Sequence, residues 1–514
     1  MKLGLRLLQA NIKDLIPIGV FFLVLAAVVL PVFGLVYYYN FSFTLNFSNY
    51  YFTIIFFTIF QSFASAFFSI VIGSVFALLL IRHRHHKTIK LIVNFLSILF
   101  VLPTILSVFG ILTFYGQYFS IYGIIGILLG HTILNTPLIT RIIFQSLNDI
   151  SSNEYMLAKQ MSLDKLGIFF AIEWPIIKKN IPSLFVIVFF ICFVSFTPVL
   201  ILGGSPKYST LEVAIYYSVI FNNDFDAALN LLLIQLSICL FIYAAFFKNF
   251  KSSNFIIDEQ RNFYENKKRG FSFYFEIVCI ILISIFIFSP ICFIILNGFN
   301  KELINIFSSS YLWHAINNTF VICFFSGTIS VFVALNYLNL IYRKKYFTEI
   351  LIYSLIIFSP VVMAVGYYIL LFKISLFDIP NILIVIVLNA IFSLPFTYNF
   401  LAPSYFKITH ENEDISKSIN MYGLQRFLII DFPRLKVPII TAFSVSSILS
   451  ASDLVIISFF GTNSLSTLTQ TIYRLMGSYR MDEAYSVSLI LLMFCICYFG
   501  ASYVFMKGKL WNTH

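Results

Sequence analysis

Twelve apolar stretches, each roughly 20 residues or longer, divide the chain at about 16–38, 53–81, 91–115, 122–146, 182–203, 227–247, 272–296, 315–341, 348–372, 380–402, 437–459 and 484–506. A helix of that length crosses the hydrocarbon core of a bilayer. Only helices and closed barrels satisfy their backbone polar groups there. With 60% hydrophobic and 11% charged residues, the chain lacks the polar surface a water-soluble fold needs. The sequence therefore predicts an all-α polytopic membrane protein of about twelve transmembrane helices.

The formal net charge of +11 is topological. With both termini placed in the cytoplasm, 28 of the 33 Lys and Arg residues fall on the inside and five, Lys207, Lys301, Lys373, Arg474 and Arg480, on the outside. That asymmetry follows the positive-inside rule and leaves no nucleic-acid footprint to explain. All seven cysteines lie in apolar stretches, so no disulfide framework is implied. The first apolar stretch exceeds a signal-peptide core in length and is expected to remain as a span.

Landmarks recur at a fixed period. Pro103 recurs as Pro360, 257 residues on; Pro137 as Pro395 and Pro175 as Pro433, each 258 on; Gly204, Thr210, Leu211 and Tyr216 as Gly461, Thr467, Leu468 and Tyr473, each 257 on. Each half then holds six spans, and an even number inserts both halves in the same orientation, as two parallel six-helix repeats. The expected division is a first transmembrane domain at 1–250, a cytoplasmic linker at 251–271 and a second transmembrane domain at 272–514.

In both halves the longest internal cytoplasmic connection lies between spans four and five, at about 148–180 and 404–436. A turn between spans needs only a few residues. Two connections of this length in one register point to docking on a partner, the other reading being a solvated amphipathic connector. Each reads as a short helix, a turn and a second helical stretch, stopped by Pro175 or Pro433 before the next span.

The segments Met156–Ser162 and Asp414–Asn420, each ending thirteen residues before its proline, resemble the EAA loop of binding-protein-dependent ABC importer permeases. The resemblance implies the type I ABC importer permease fold and a coupling helix that docks on an ATPase subunit. By matching position it assigns that role to Met156, Ala158, Ser162 and Pro175, and to Asp414, Ser416, Asn420 and Pro433. The pattern departs from the family at its acidic first position, here Met156 in the first half, and at its glycine, here Ser162 and Asn420. The chain has no Gly-x-x-x-x-Gly-Lys-Ser/Thr phosphate loop. ATP and Mg would therefore bind a partner ATPase, and no cofactor or metal is expected on this chain. The implied assembly is one permease, an ATPase dimer at its cytoplasmic face and a periplasmic solute-binding protein, in the bacterial inner membrane.

Over nearly its whole length the chain is most similar to the fused permeases for thiamine. The likeness rests on Leu102-Pro103, Val108–Leu112, Tyr115-Gly116, Gly126–Leu129, His131, Asn135, Pro137, Arg141, Glu173–Pro175, Cys192-Phe193, Ser195-Phe196, Val199–Gly204, Ser452-Asp453, Phe460-Gly461 and Gly477–Arg480. It implies import of thiamine or its phosphates. A ferric-iron permease of the same fused layout is the alternative within the class. A twelve-helix secondary transporter is the alternative outside it, although the loops after spans two and eight lack the Gly and Asp such transporters often place there.

Asp453 is the only acidic residue well inside an apolar stretch. It reads either as a counter-charge on the path of a cationic solute or as a hydrogen-bonded residue at a helix junction. His131 and Asn135 either line the path or bond between helices. His83, His85 and His86 read as part of a short, basic cytoplasmic turn rather than a metal site, with no nearby carboxylate or thiolate expected. The outside segments 205–225 and 462–482, with Tyr216, Tyr217, Tyr473 and Tyr479, are expected to form short amphipathic helices that meet the binding protein, or else a plain aromatic belt.

Overall fold

The structure, a computed structural model, describes residues 17–31, 33–34, 49–99, 101–250, 271–342, 355, 359–372, 379–419, 421 and 424–507. The predicted linker up to residue 270 and Asn420 lie outside them. Among the described residues every regular element is a helix, as the apolar pattern requires. Among the described residues eight helices are long and apolar enough to cross a membrane: Asn49–Arg82, Ile124–Asn148, Lys165–Phe193, Phe225–Ile242, Phe273–Gly298, Ser310–Tyr342, Asn381–Glu411 and Met481–Gly500. This is a polytopic membrane protein.

Within the described residues the remaining predicted spans are shorter or broken. Pro17–Pro31 and Pro360–Leu371 are shorter apolar helices. The stretch at 91–115 is two helices, Lys87–Leu99 and Thr104–Tyr115, and Pro103 stands at their break. Spans five and eleven are each followed by a six-residue helix: Trp174–Phe193 by Thr197–Leu202, and Phe432–Ala451 by Val455–Phe460. In the first break Pro198, at the start of the short helix, has no N–H to continue the ladder. In the second, the Asp453 carboxylate takes the freed N–H groups of Ile456 (3.1 Å) and Ile457 (3.3 Å). One proline and one capping side chain produce the same break, 258 residues apart.

The chain folds as two compact units, one drawn from Phe47–Ala214 and Leu240–Leu296, the other from Met1–Asn46, Ile215–Cys239 and Asn297–His514. In the first unit Asn49–Arg82, Ile124–Asn148 and Trp174–Phe193 pack on one another. Ser62, Ser65, Ala66 and Ser69 are buried along the first of these, and Thr140 Oγ1 donates to the carbonyl of Gly73 (3.2 Å). Small residues let the backbones approach, and hydroxyls bond across the interface. In the second unit Ser310–Tyr342, Asn381–Glu411 and Phe432–Ala451 pack in the same way. There Ser326 Oγ meets Ser450 Oγ (2.7 Å) and Ser330 Oγ meets Thr397 Oγ1 (2.8 Å).

The units exchange leading helices between the sequence halves. In the first unit Gly110, on Thr104–Tyr115, lies directly against the backbone of Pro290 on Phe271–Gly298, where a Cβ would collide with the Pro290 carbonyl. Tyr115 Oη also donates to the carbonyl of Phe286 (3.1 Å). In the second unit Gly366 lies against Pro31, and Tyr367 Oη donates to the carbonyl of Ala27 (2.9 Å). Each half's first helix therefore docks on the third span of the other half through a Gly–Pro contact.

Candidate functional site: two matched loops and a polar core

The first loop opens with helix Ser152–Gln160, where Ser151 Oγ accepts from the backbone N–H of Glu154 (3.4 Å). It closes when the N–H of Leu163 reaches back five residues to the carbonyl of Ala158 (3.0 Å). Such a closure places the intervening residue in the left-handed region, and Ser162 has φ +58°. In the second loop, helix Glu413–Ser418 is followed by the same bond: Met421 N–H donates to the carbonyl of Ser416 (2.9 Å). The two closures stand 258 residues apart.

Burial repeats as well. Ala158 is 4% exposed and Ser416 1%, so the small residues of both loops face inward. Met161 (73%) and Ile419 (52%), again 258 apart, are exposed, as are Phe170 and Leu428. Met156 and Leu157 are exposed too. Asp414 lies on the second loop's helix. Each loop thus turns its small residue into the protein and apolar side chains outward.

A left-handed serine is strained where glycine is not. Ser162→Gly is expected to stabilise the protein by ~0.5–1 kcal/mol, read as a higher unfolding midpoint of the purified chain in detergent. A lower midpoint would contradict the geometry.

The prolines do not stop the second helical stretch, contrary to the sequence expectation. The helix runs through both, widened into π-helical turns at Phe169–Glu173 and Phe427–Asp431. The N–H of Trp174 bonds to the carbonyl of Phe169, and that of Phe432 to the carbonyl of Phe427, five residues back. A proline in a regular helix loses one bond and strikes the carbonyl four residues earlier. A widened turn just before it accommodates the ring at low cost. Pro175 is exposed and Pro433 half-buried, each in the first turn of the following helix.

Each π turn ends on a buried carboxylate, Glu173 or Asp431. Arg82 Nη2 lies 2.8 Å from Glu173 Oε2, and Arg426 Nε lies 3.3 Å from Asp431 Oδ2. Burial raises the Asp431 carboxyl above its ordinary pKa, against the pull of Arg426. The sequence reading used Glu173–Pro175 only as a landmark and missed these pairs. The signal was an acid two residues before each matched proline.

The polar core shares the repeat. His131 sits between Ser65 Oγ (3.1 Å from Nδ1) and Ser195 Oγ (2.9 Å from Nε2). Asn135 Nδ2 donates to the His131 carbonyl (2.9 Å) and to Cys192 Sγ (3.2 Å). At the matching positions of the second half, Asn389 Nδ2 donates to Asp453 Oδ2 (3.3 Å). His131 and Asn135 therefore bond between helices, and Asp453 caps a helix at a junction.

Two expectations are corrected. His83 has a carboxylate beside it after all: its Nε2 lies 2.9 Å from Glu276 Oε2, brought in by the leading helix of the other half, while His85 and His86 are exposed. The short helices expected within 205–225 and 462–482 exist, at Leu211–Ile220 and Leu468–Gly477, but most of their side chains are buried within the protein. Leu211, Ile215, Leu468 and Ile472 are wholly inaccessible, and Tyr216 packs edge-on against Phe459 at 5.4 Å. Their apolar side chains are needed for packing within the protein. Tyr479, with φ +59°, remains fully outside.

No family model matches the chain. Along most of its length it is similar to thiamine transport system permease proteins of bacteria. That of Haemophilus influenzae is 29% identical over 466 residues, covering 84% of this chain and 86% of the relative. That of Brucella abortus is 29% identical over 476 residues, covering 88% and 87%. That of Escherichia coli K12 is 28% identical over 468 residues, covering 86% and 87%.

Proposed function

We propose that this chain is the permease of an ATP-binding-cassette importer for thiamine, with both transmembrane halves on one polypeptide. One observation carries the reading: two loops share one register of closure, burial and exposure, in a chain similar along most of its length to thiamine permeases. The chain is a transport subunit, and ATP with its Mg is bound and hydrolysed by a partner. Two ATPase subunits dock on the outward faces of the loops, one on the loop carrying Met156, Ala158, Ser162 and Pro175, the other on the loop carrying Asp414, Ser416, Asn420 and Pro433, with Ala158 and Ser416 seating each loop from within. A periplasmic binding protein delivers the solute to the opposite face. The assembly sits in the bacterial inner membrane with both termini of the permease cytoplasmic.

The mechanism follows from the loops. Closing of the ATPase pair draws the two docked loops together. The second helical stretch of each loop continues through its π turn into the span that follows. Motion at the loop is therefore carried by a continuous helix to the junctions at Ser195 and Asp453, beside His131 and Asn135. Hydrolysis releases the loops and returns the spans. No observation favours the ferric-iron or secondary-transport alternatives.

Thiamine carries a permanent cation, and Asp453 would serve as its counter-charge on the path. Asn caps a helix about as well as Asp, so Asp453→Asn removes the charge and keeps the junction. Uptake is expected to fall several-fold at unchanged membrane level. Unchanged uptake would leave Asp453 as a cap alone.

The class is tested by uptake of labelled thiamine into cells expressing the chain with its ATPase and binding protein. Accumulation blocked by vanadate supports the proposal. Accumulation that persists in vanadate and collapses with the proton gradient would replace it with a secondary transporter.

A further inference from the structure

Glu276 is the single acid of Phe271–Gly298, the leading helix of the second half, and its side chain is 10% exposed. Three basic groups of the first half converge on it: His83 Nε2 at 2.9 Å, Lys165 Nζ at 3.2 Å and Arg82 Nη1 at 3.6 Å. Arg82 is shared with Glu173 at the end of the first π turn. Lys165 opens the second helical stretch of the first loop, and Glu173 closes its π turn. One network thus holds both ends of that stretch to a helix from the other half.

Glu276 is buried, and a buried carboxylate stripped of its partners would be left desolvated and unpaired; the more exposed Lys165 adds a weaker link from the loop to it. The loop stretch and the leading helix are therefore held to move together. The second loop is tied differently. Asp431 pairs with Arg426, Asn412 Oδ1 accepts from Arg434 (2.6 Å), and Arg426 donates to the Thr409 carbonyl (2.7 Å). The repeat positions of Lys165 and Glu276 are Gly423 and Ile18, neither of which ionises.

We propose that Glu276 is a positioning residue that yokes the first coupling loop to the leading helix of the second half. The two coupling loops are then mechanically inequivalent, the first moving a helix of the opposite half through the Lys165–Glu276 link. This rests on the reading of the loops as ATPase-docking elements.

The test uses the complete complex, with ATPase and binding protein, in proteoliposomes, and measures ATP hydrolysed per thiamine imported. Lys165→Met removes the link and leaves Glu276 paired with Arg82 and His83, so folding is spared. The ratio is expected to rise about threefold, the size of a partly exposed ion pair. Lys165→Arg, which keeps the pair, should restore the wild-type ratio, and Glu276→Gln should raise it further. A Lys165→Met complex with an unchanged ratio overturns the yoke, whether its rates are normal or both reduced in proportion. Failure of the wild-type complex to import thiamine at all would instead overturn the functional reading.

Discussion

Ala158→Arg is expected to abolish thiamine uptake, with the chain still present in the membrane. Ala158 is 4% exposed, on the inward face of the first loop's helix. A long charged side chain there both overpacks the site, at ~1–3 kcal/mol, and buries an ion without a partner, at several kcal/mol more. The loop must move out of place to relieve this, and each ~1.4 kcal/mol of misplacement costs about tenfold in a coupled rate. A loss of uptake of at least about tenfold follows, together with loss of thiamine-stimulated ATP hydrolysis. Ser416→Arg, at the matching 1% exposed position, should behave alike. Met156→Arg, on the exposed face, should leave the loop folded. Normal stimulation of the ATPase in the Ala158→Arg and Ser416→Arg variants would remove the loops from the coupling path.

Gly110→Leu should destabilise the assembled transmembrane region more than a typical core change. A Cβ at Gly110 collides with the backbone carbonyl of Pro290, and backbone atoms cannot rotate away as a side chain could. The two helices must separate, with a loss of ~3 kcal/mol or more expected from overpacking that cannot relax. Gly366→Leu tests the mirrored contact with Pro31. Gly477 has nothing near its absent Cβ, so Gly477→Ala should leave stability unchanged. The readout is the unfolding midpoint of each detergent-purified variant. Equal midpoints for the Gly110 and Gly477 variants would contradict the interlocked leading helices.

Much of this was legible in the sequence, for identifiable reasons. Apolar length alone places Asn49–Arg82 or Ser310–Tyr342 in a bilayer, because nothing else satisfies so many backbone groups there. The repeat was legible because prolines and glycines mark backbone events. Pro175 and Pro433 do bracket matched loops, though as π turns and not as stops. That difference depends on whether a helix can widen, which residue identity does not state. The exchange of leading helices was hidden because Gly110 and Gly366 look like ordinary apolar-segment glycines until Pro290 and Pro31 are set against them. Glu276 was hidden similarly: its three basic partners lie 111 to 194 residues away in the chain, and proximity in sequence was the only clue sought. The outside helices misled because Tyr-rich segments between spans suggest a surface, whereas here they fill the interior.

The most direct test of the central claim is accumulation of labelled thiamine in proteoliposomes containing the permease, its ATPase and its binding protein, with ATP inside or outside and with excess ferric iron. The account predicts uptake that requires ATP on the loop side and is unaffected by iron. Uptake of iron in place of thiamine, or no thiamine uptake by a complex shown to be assembled, would contradict it.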